Sequence, residues 1–262
     1  RLVDCLYCSL PVVPDARRAT SRLITKKITR DGAISSLAHM VSAGYIELFD
    51  TNNIAAKYAF QFSDDQIMSI FGSTKEDICI AVKNHPKRRN FLAMHPIAGT
   101  EFSGPSAAIH GLYNGKTNII CEVEDTAFKL QEKALKLFND IGMRIRYMKP
   151  KAHDKHIAYV SHLSHISSFM LGKTVIEKEK NERDIFDMAG SGFESTVRLA
   201  KSSPEMWTPI FEQNKKNVVK TLDEYIINLK HFKSLIEDDK FESVNQEMRN
   251  TNRIKKILKG IK

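Results

Sequence analysis

A chain of 262 residues with 42% hydrophobic content can bury a sizeable core, which excludes a disordered or fibrous protein and predicts one large or two moderate domains. Its formal charge of +9 suits a nucleic acid, a membrane surface or an anionic small molecule. Much of that excess stands at Lys215-Lys216, Lys255-Lys256, Lys259 and Lys262, among acidic residues and without interleaved aromatics, so solvated helix faces are expected and no nucleic-acid partner.

The N-terminal Arg1-Leu2-Val3-Asp4 lacks the sections of a secretory signal. No apolar run reaches the roughly 18 residues of a membrane span, so a cytoplasmic protein with no membrane partner is expected. Cys5, Cys8, Cys79 and Cys121 are too few and scattered for a disulfide framework. Cys5-Leu6-Tyr7-Cys8 has the spacing of half a zinc site or of a redox motif, but no second Cys or His pair follows at a zinc-binding distance, and no metal is predicted there.

Residues 1 to 68 yield no strong element; Asp31-Gly32 and Asp50-Thr51-Asn52-Asn53 read as turns. The run Ile67-Met68-Ser69-Ile70-Phe71, ended by Gly72, predicts a short buried strand. A helix should follow, capped by Ser73 or Thr74, with Glu76 and Asp77 in its first turn and Ile78, Ile80 and Val82 on its apolar side. Asn90-Phe91-Leu92-Ala93-Met94 is a second strand, and Pro96 is expected to stop its pairing. A Gly/Ser/Pro-rich loop over 97–116 precedes a strand at Thr117–Val123, a helix over 125–140 and a strand at Met143–Met148. This alternation predicts an α/β layer with a largely parallel sheet. Lys149-Pro150 is the domain boundary, and amphipathic stretches over 151–180, 206–236 and 241–259 predict a helical domain that packs with a copy of itself.

Several residues invite chemistry. His95 stands where a strand ends and a flexible loop begins, at the carboxyl edge where open α/β sheets place ligands. Gly72-Ser73-Thr74-Lys75 puts a hydroxyl and a helix N-terminus at the neighbouring strand end, either as an ordinary cap or as a contact for an anion or polar cofactor edge. His153, His156, His162 and His165 crowd one helix and read as a polar substrate wall, as buried hydrogen-bonded histidines or, least favoured, as metal ligands. Arg198, between Val197 and Leu199, suits a bidentate carboxylate contact or a salt bridge with Glu101 or Glu194. Trp207 is expected in a core.

The blocks Gly72–Lys75, His95–Gly104, Ser161–His165 and Arg198–Trp207, in this order and spacing, resemble the prephenate dehydrogenase family over residues 72 to 262. The resemblance implies a Rossmann-like NAD(P)-binding domain over 1–150, atypical over 1–65, then an all-α dimerisation domain over 151–262. It implies oxidative decarboxylation of prephenate to 4-hydroxyphenylpyruvate with NAD or NADP as hydride acceptor, in tyrosine biosynthesis, by a homodimer. By the same resemblance, His95 is expected to be the catalytic histidine. The resemblance further implies that Ser73 orients it and lies near the nicotinamide, that His165 and Arg198 hold the substrate, and that Thr100 and Glu101 line the cleft, with Glu101 pairing with Arg198. The family's Gly-x-Gly-x-x-Gly phosphate turn does not occur in the chain. The second reading is therefore a relative that dimerises and binds prephenate or tyrosine without turnover.

Overall fold

The computed structural model describes residues 46–48, 67–70, 72–99, 110–180, 182 and 184–259. Five strands form one sheet in the order β1 (Ile46–Leu48), β2 (Ile67–Ile70), β3 (Phe91–Ile97), β4 (Thr117–Cys121), β5 (Arg144–Tyr147). Every pair is parallel except β3 with β4. The sheet is largely parallel, as the alternation of strands and helices predicts. β1 is an element the sequence pattern did not reveal: Ile46-Glu47-Leu48 has one alternation and no flanking strand signal beyond the Asp50–Asn53 turn.

Side-chain alternation along β3 sorts the core into two faces. Leu92 and Met94 join Ile67, Ile120 and the helix α2 (Phe128–Asp140), whose Leu130, Ala134 and Phe138 recur at one-turn spacing and are buried. Phe91 and Ala93 join Cys121 and the helix α1 (Glu76–Val82), through its Ile78, Cys79 and Val82. His95 continues the second series, two residues past Ala93.

Pro96 does not stop the strand. It stays in register with Asn118 of β4, and β3 runs on to Ile97. The reason is on the other flank: pairing with β2 ends at Ile70 opposite Ala93, so at Pro96 the strand has a partner on one side only among the described residues, and a missing N–H is tolerated.

Beyond the sheet, α3 (Pro150–Ile157), a π turn (Ala158–His162) and α4 (Leu163–Glu179) form one continuous helical run. Pro150 suits the first turn, where its absent N–H has no helical partner to lose. Then come α5 (Ser191–Val197), α6 (Pro204–Gln213), α7 (Lys215–Glu237), α8 (Phe241–Thr251) and α9 (Ile254–Lys259). The stretch expected as one helix over 206–236 is two, because Asn214 leaves the helical conformation and is buried, donating to the Asp154 carbonyl. The chain divides into two compact units, Arg1–Lys215 and Lys216–Lys262. No described helix is long and apolar enough to cross a membrane.

Candidate active site

The parallel pairing of β2 and β3 brings their carboxyl ends side by side, so Gly72–Lys75 and His95 occupy one edge of the sheet. The helix α3 is tied to this edge at three points. Asp154 accepts the backbone N–H of Lys75 (2.7 Å) and of Glu76 (2.8 Å). His95 Nδ1 meets His153 Nε2 at 2.9 Å. His153 Nδ1 in turn lies 2.7 Å from Asp154 Oδ1. A fourth tie comes from α6, whose Gln213 accepts from the Thr74 hydroxyl at 2.5 Å.

These contacts correct the expectation of a local cap for α1. Neither Ser73 nor Thr74 caps it; Lys75 is the N-cap, and the carboxylate of Asp154, 78 residues along the chain from Glu76, accepts the first free amides. A carboxylate there answers both the unpaired N–H groups and the positive end of the helix. Those amides are therefore already engaged by the protein's own carboxylate and are not open to a ligand anion. Lys75 itself is fully buried, its Nζ donating to the Gly72 and Thr74 carbonyls. Burial lowers its ammonium pKa to about 8.

His95 is held well below the ordinary histidine range, first by burial and then by the neighbouring Lys75, His153 and His162, beside which a further positive charge is disfavoured. It is neutral at pH 7. His153 and Asp154, both buried, are site residues that the sequence did not single out as partners of His95. The available signal was their adjacency one turn into a helix, directly after the Lys149-Pro150 boundary. Ser73 is half-buried at the same edge, and among the described residues it makes no hydrogen bond to His95.

The π turn shifts the phase of the helix after it, so the later histidines serve a second cluster. His165 stacks on Trp207 with ring centroids 3.6 Å apart, and His162 meets the edge of Trp207 at 5.8 Å and Phe211 at 6.2 Å. His165 Nδ1 donates to the Ser161 carbonyl at 2.9 Å, leaving Nε2 as an acceptor. Burial, with the nearby charge of Arg198, lowers the pKa of His165. Arg198 opens a short 3₁₀ turn (Arg198–Lys201) and is exposed. Glu194 stands 3.8 Å from Lys201. His162 is fully buried, its pKa lowered to about 4 by burial. Its Nδ1 lies 3.2 Å from the Asn214 amide nitrogen, and its Nε2, like Trp207 Nε1, has no hydrogen-bond partner among the described residues. The four histidines thus divide: His153 on His95, His162 and His165 on Trp207, and His156 exposed. No group of three or more metal-binding side chains occurs among the described residues. Cys5, Cys8, Thr100 and Glu101 lie outside the described residues.

Open α/β sheets bind ligands outside the carboxyl ends of their strands. The described residues fit the redox end of a dinucleotide cofactor, with a half-buried Ser73 and a neutral His95 at one edge of the sheet. They supply no phosphate cradle, because the α1 amides bind Asp154 and no glycine-rich turn is among them.

Fold and site define a Rossmann-like nucleotide-binding layer with a histidine at its edge, followed in the chain by a series of helices. The family model described as the prephenate dehydrogenase nucleotide-binding domain matches residues 46–147, and that described as the prephenate dehydrogenase dimerization domain matches residues 149–250. The chain belongs to the prephenate dehydrogenase family. Crystal structures of prephenate dehydrogenase from Aquifex aeolicus match at 34% identity with a TM-score of 0.70, covering 78% of this chain and 70% of that one, and at 31% with 0.72, covering 83% and 79%. The first of these holds hydroxyphenyl propionate and NAD+. A cyclohexadienyl dehydrogenase of Zymomonas mobilis is 26% identical over 79% of this chain and 71% of its own length. A prephenate dehydrogenase of Bacillus subtilis is 28% identical over 66% of this chain, which spans only 47% of that longer protein. The nucleotide-binding match begins at residue 46, well before Gly72, so part of the stretch that follows no readable family register is family sequence after all.

Proposed function

We propose that this protein oxidatively decarboxylates prephenate to 4-hydroxyphenylpyruvate, with NAD or NADP as hydride acceptor. The observation that carries this reading is a neutral, desolvated His95 at the edge of a nucleotide-binding sheet. The bound dinucleotide supplies the electron-pair acceptor. His95 takes the proton of the ring hydroxyl as hydride leaves the same carbon; carbon dioxide then departs and the ring becomes aromatic. A base that must accept a proton at neutral pH has to be uncharged beforehand, and burial beside Lys75 keeps it so.

Prephenate carries two carboxylates. Arg198 binds one through its guanidinium, and His165 presents its accepting Nε2 to a substrate hydroxyl. Ser73 contacts the nicotinamide end, and Thr100 and Glu101 line the cleft. The helical domain pairs with a second copy. The Aquifex relative crystallised with NAD+ favours NAD over NADP as the first cofactor to try.

The test is the absorbance of reduced nicotinamide with purified protein, prephenate or arogenate, and NAD+ or NADP+ in parallel. Turnover with one combination names substrate and cofactor together. A folded protein silent with all four combinations overturns the reading. It would favour instead a relative that dimerises and binds prephenate or tyrosine without turnover, for which the engaged α1 amides are the supporting observation.

A further inference from the structure

We propose that His153, anchored by Asp154, is a positioning residue that fixes His95 in the tautomer able to accept a proton. The inference rests on His95 being the base of the reaction proposed above. Asp154 receives the Lys75 N–H and the His153 ring at Oδ1 and the Glu76 N–H at Oδ2, so both oxygens face N–H donors and the carboxylate acts as acceptor throughout. His153 must therefore carry its proton on Nδ1 and donate it to Asp154. Its Nε2 then bears a lone pair.

That lone pair lies 2.9 Å from His95 Nδ1. Two facing lone pairs would repel in a buried site, so His95 places its proton on Nδ1 and donates to His153. Nε2 of His95 is left with a lone pair, the group a substrate hydroxyl requires. A backbone feature thus sets the protonation site of a ring: the orientation of α1 amides fixes Asp154, Asp154 fixes His153, and His153 fixes His95. When His95 takes the proton and becomes positive, its Nδ1–H remains donated toward a chain that ends in a carboxylate. A partner that merely filled space would impose no such polarity.

The experiment compares the full chain, His153→Leu and His153→Gln by ¹⁵N NMR of labelled histidine, without ligand, with the His95 signals assigned from their loss in His95→Asn. The same variants are assayed for turnover. The wild type is expected to show a protonated Nδ1 and a bare Nε2 on His95. His153→Leu should let Nε2–H form and lower kcat on the order of 100-fold with KM little changed, the scale of a mispositioned general base. His153→Gln keeps an acceptor near the Nε2 position and should restore the Nδ1–H form and part of the rate. A wild-type His95 protonated on Nε2 overturns the proposal, as does a His153→Leu protein whose His95 tautomer is unchanged, whatever its activity. A tautomer that responds as expected in a protein with no turnover upholds the positioning and overturns only the dehydrogenase reading.

Discussion

At the scale of single residues, the site depends on imidazoles that burial keeps uncharged. His95→Asn is expected to abolish turnover while leaving KM within a few-fold, because the proton acceptor acts in the transition state; Arg198→Ala should instead raise KM at least tenfold. Steady-state kinetics on the two variants checks both, and an active His95→Asn protein or an unchanged KM in Arg198→Ala defeats the respective assignment. Stability carries the same signature. His162 titrates near 6.5 when unfolded and at about 4 in the fold, so the unfolded chain binds the proton first. Its contribution is intact above pH 6.5 and falls as the pH drops toward 4, by on the order of 3 kcal/mol in total. His95 and His153 are shifted in the same direction. Chemical denaturation between pH 7 and pH 4 should show this loss, flattened in part by His162→Gln; an equal slope in the two proteins would mean that His162 is not its source.

At the scale of elements, the turn out of α2 has one obligatory glycine. Gly142 has φ +75°, and a Cβ there would meet the Asn114 side-chain oxygen at 2.5 Å. The Met143 amide reaches back to the Phe138 carbonyl to close the helix end, which the left-handed residue makes possible. Gly142→Ala is expected to cost about 1–2 kcal/mol from backbone conformation, with the clash added to it. Calorimetry checks this through a lowered Tm with activity per folded molecule retained. The elements were readable to different depths. α2 was plain because Leu130, Ala134 and Phe138 repeat every turn on one face. The cap of α1 was misread because Ser73 and Thr74 have the right chemistry, while the group that fills the role comes from α3. The break at Asn214 was invisible because its cause is a hydrogen bond to Asp154, sixty residues away in sequence.

At the scale of the whole molecule, the described helices from α7 onward leave large apolar side chains exposed, among them Ile227, Phe241, Ile257 and Leu258. Large apolar side chains left in water along amphipathic helices are what a helix-packing partner would cover. Sedimentation equilibrium should give twice the 29.8 kDa chain mass, and a monomer at micromolar concentration would count against pairing through the family's dimerization domain. A substitution such as Phe241→Glu should shift the protein toward monomer.

The sequence by itself determined the strands β2 to β5, the helix that covers one face of the sheet, the placement of His95 at its carboxyl edge and the family, because local periodicity and short motifs encode those directly. What only the tertiary structure decided is which groups touch His95. Polar satisfaction in a buried site is settled between residues far apart in the chain, and no spacing rule says that Asp154 will take the amides of α1 or that His153 will meet His95. A histidine's place in the sequence marks it as a candidate; its charge and the nitrogen that carries its proton come from neighbours that folding alone assembles.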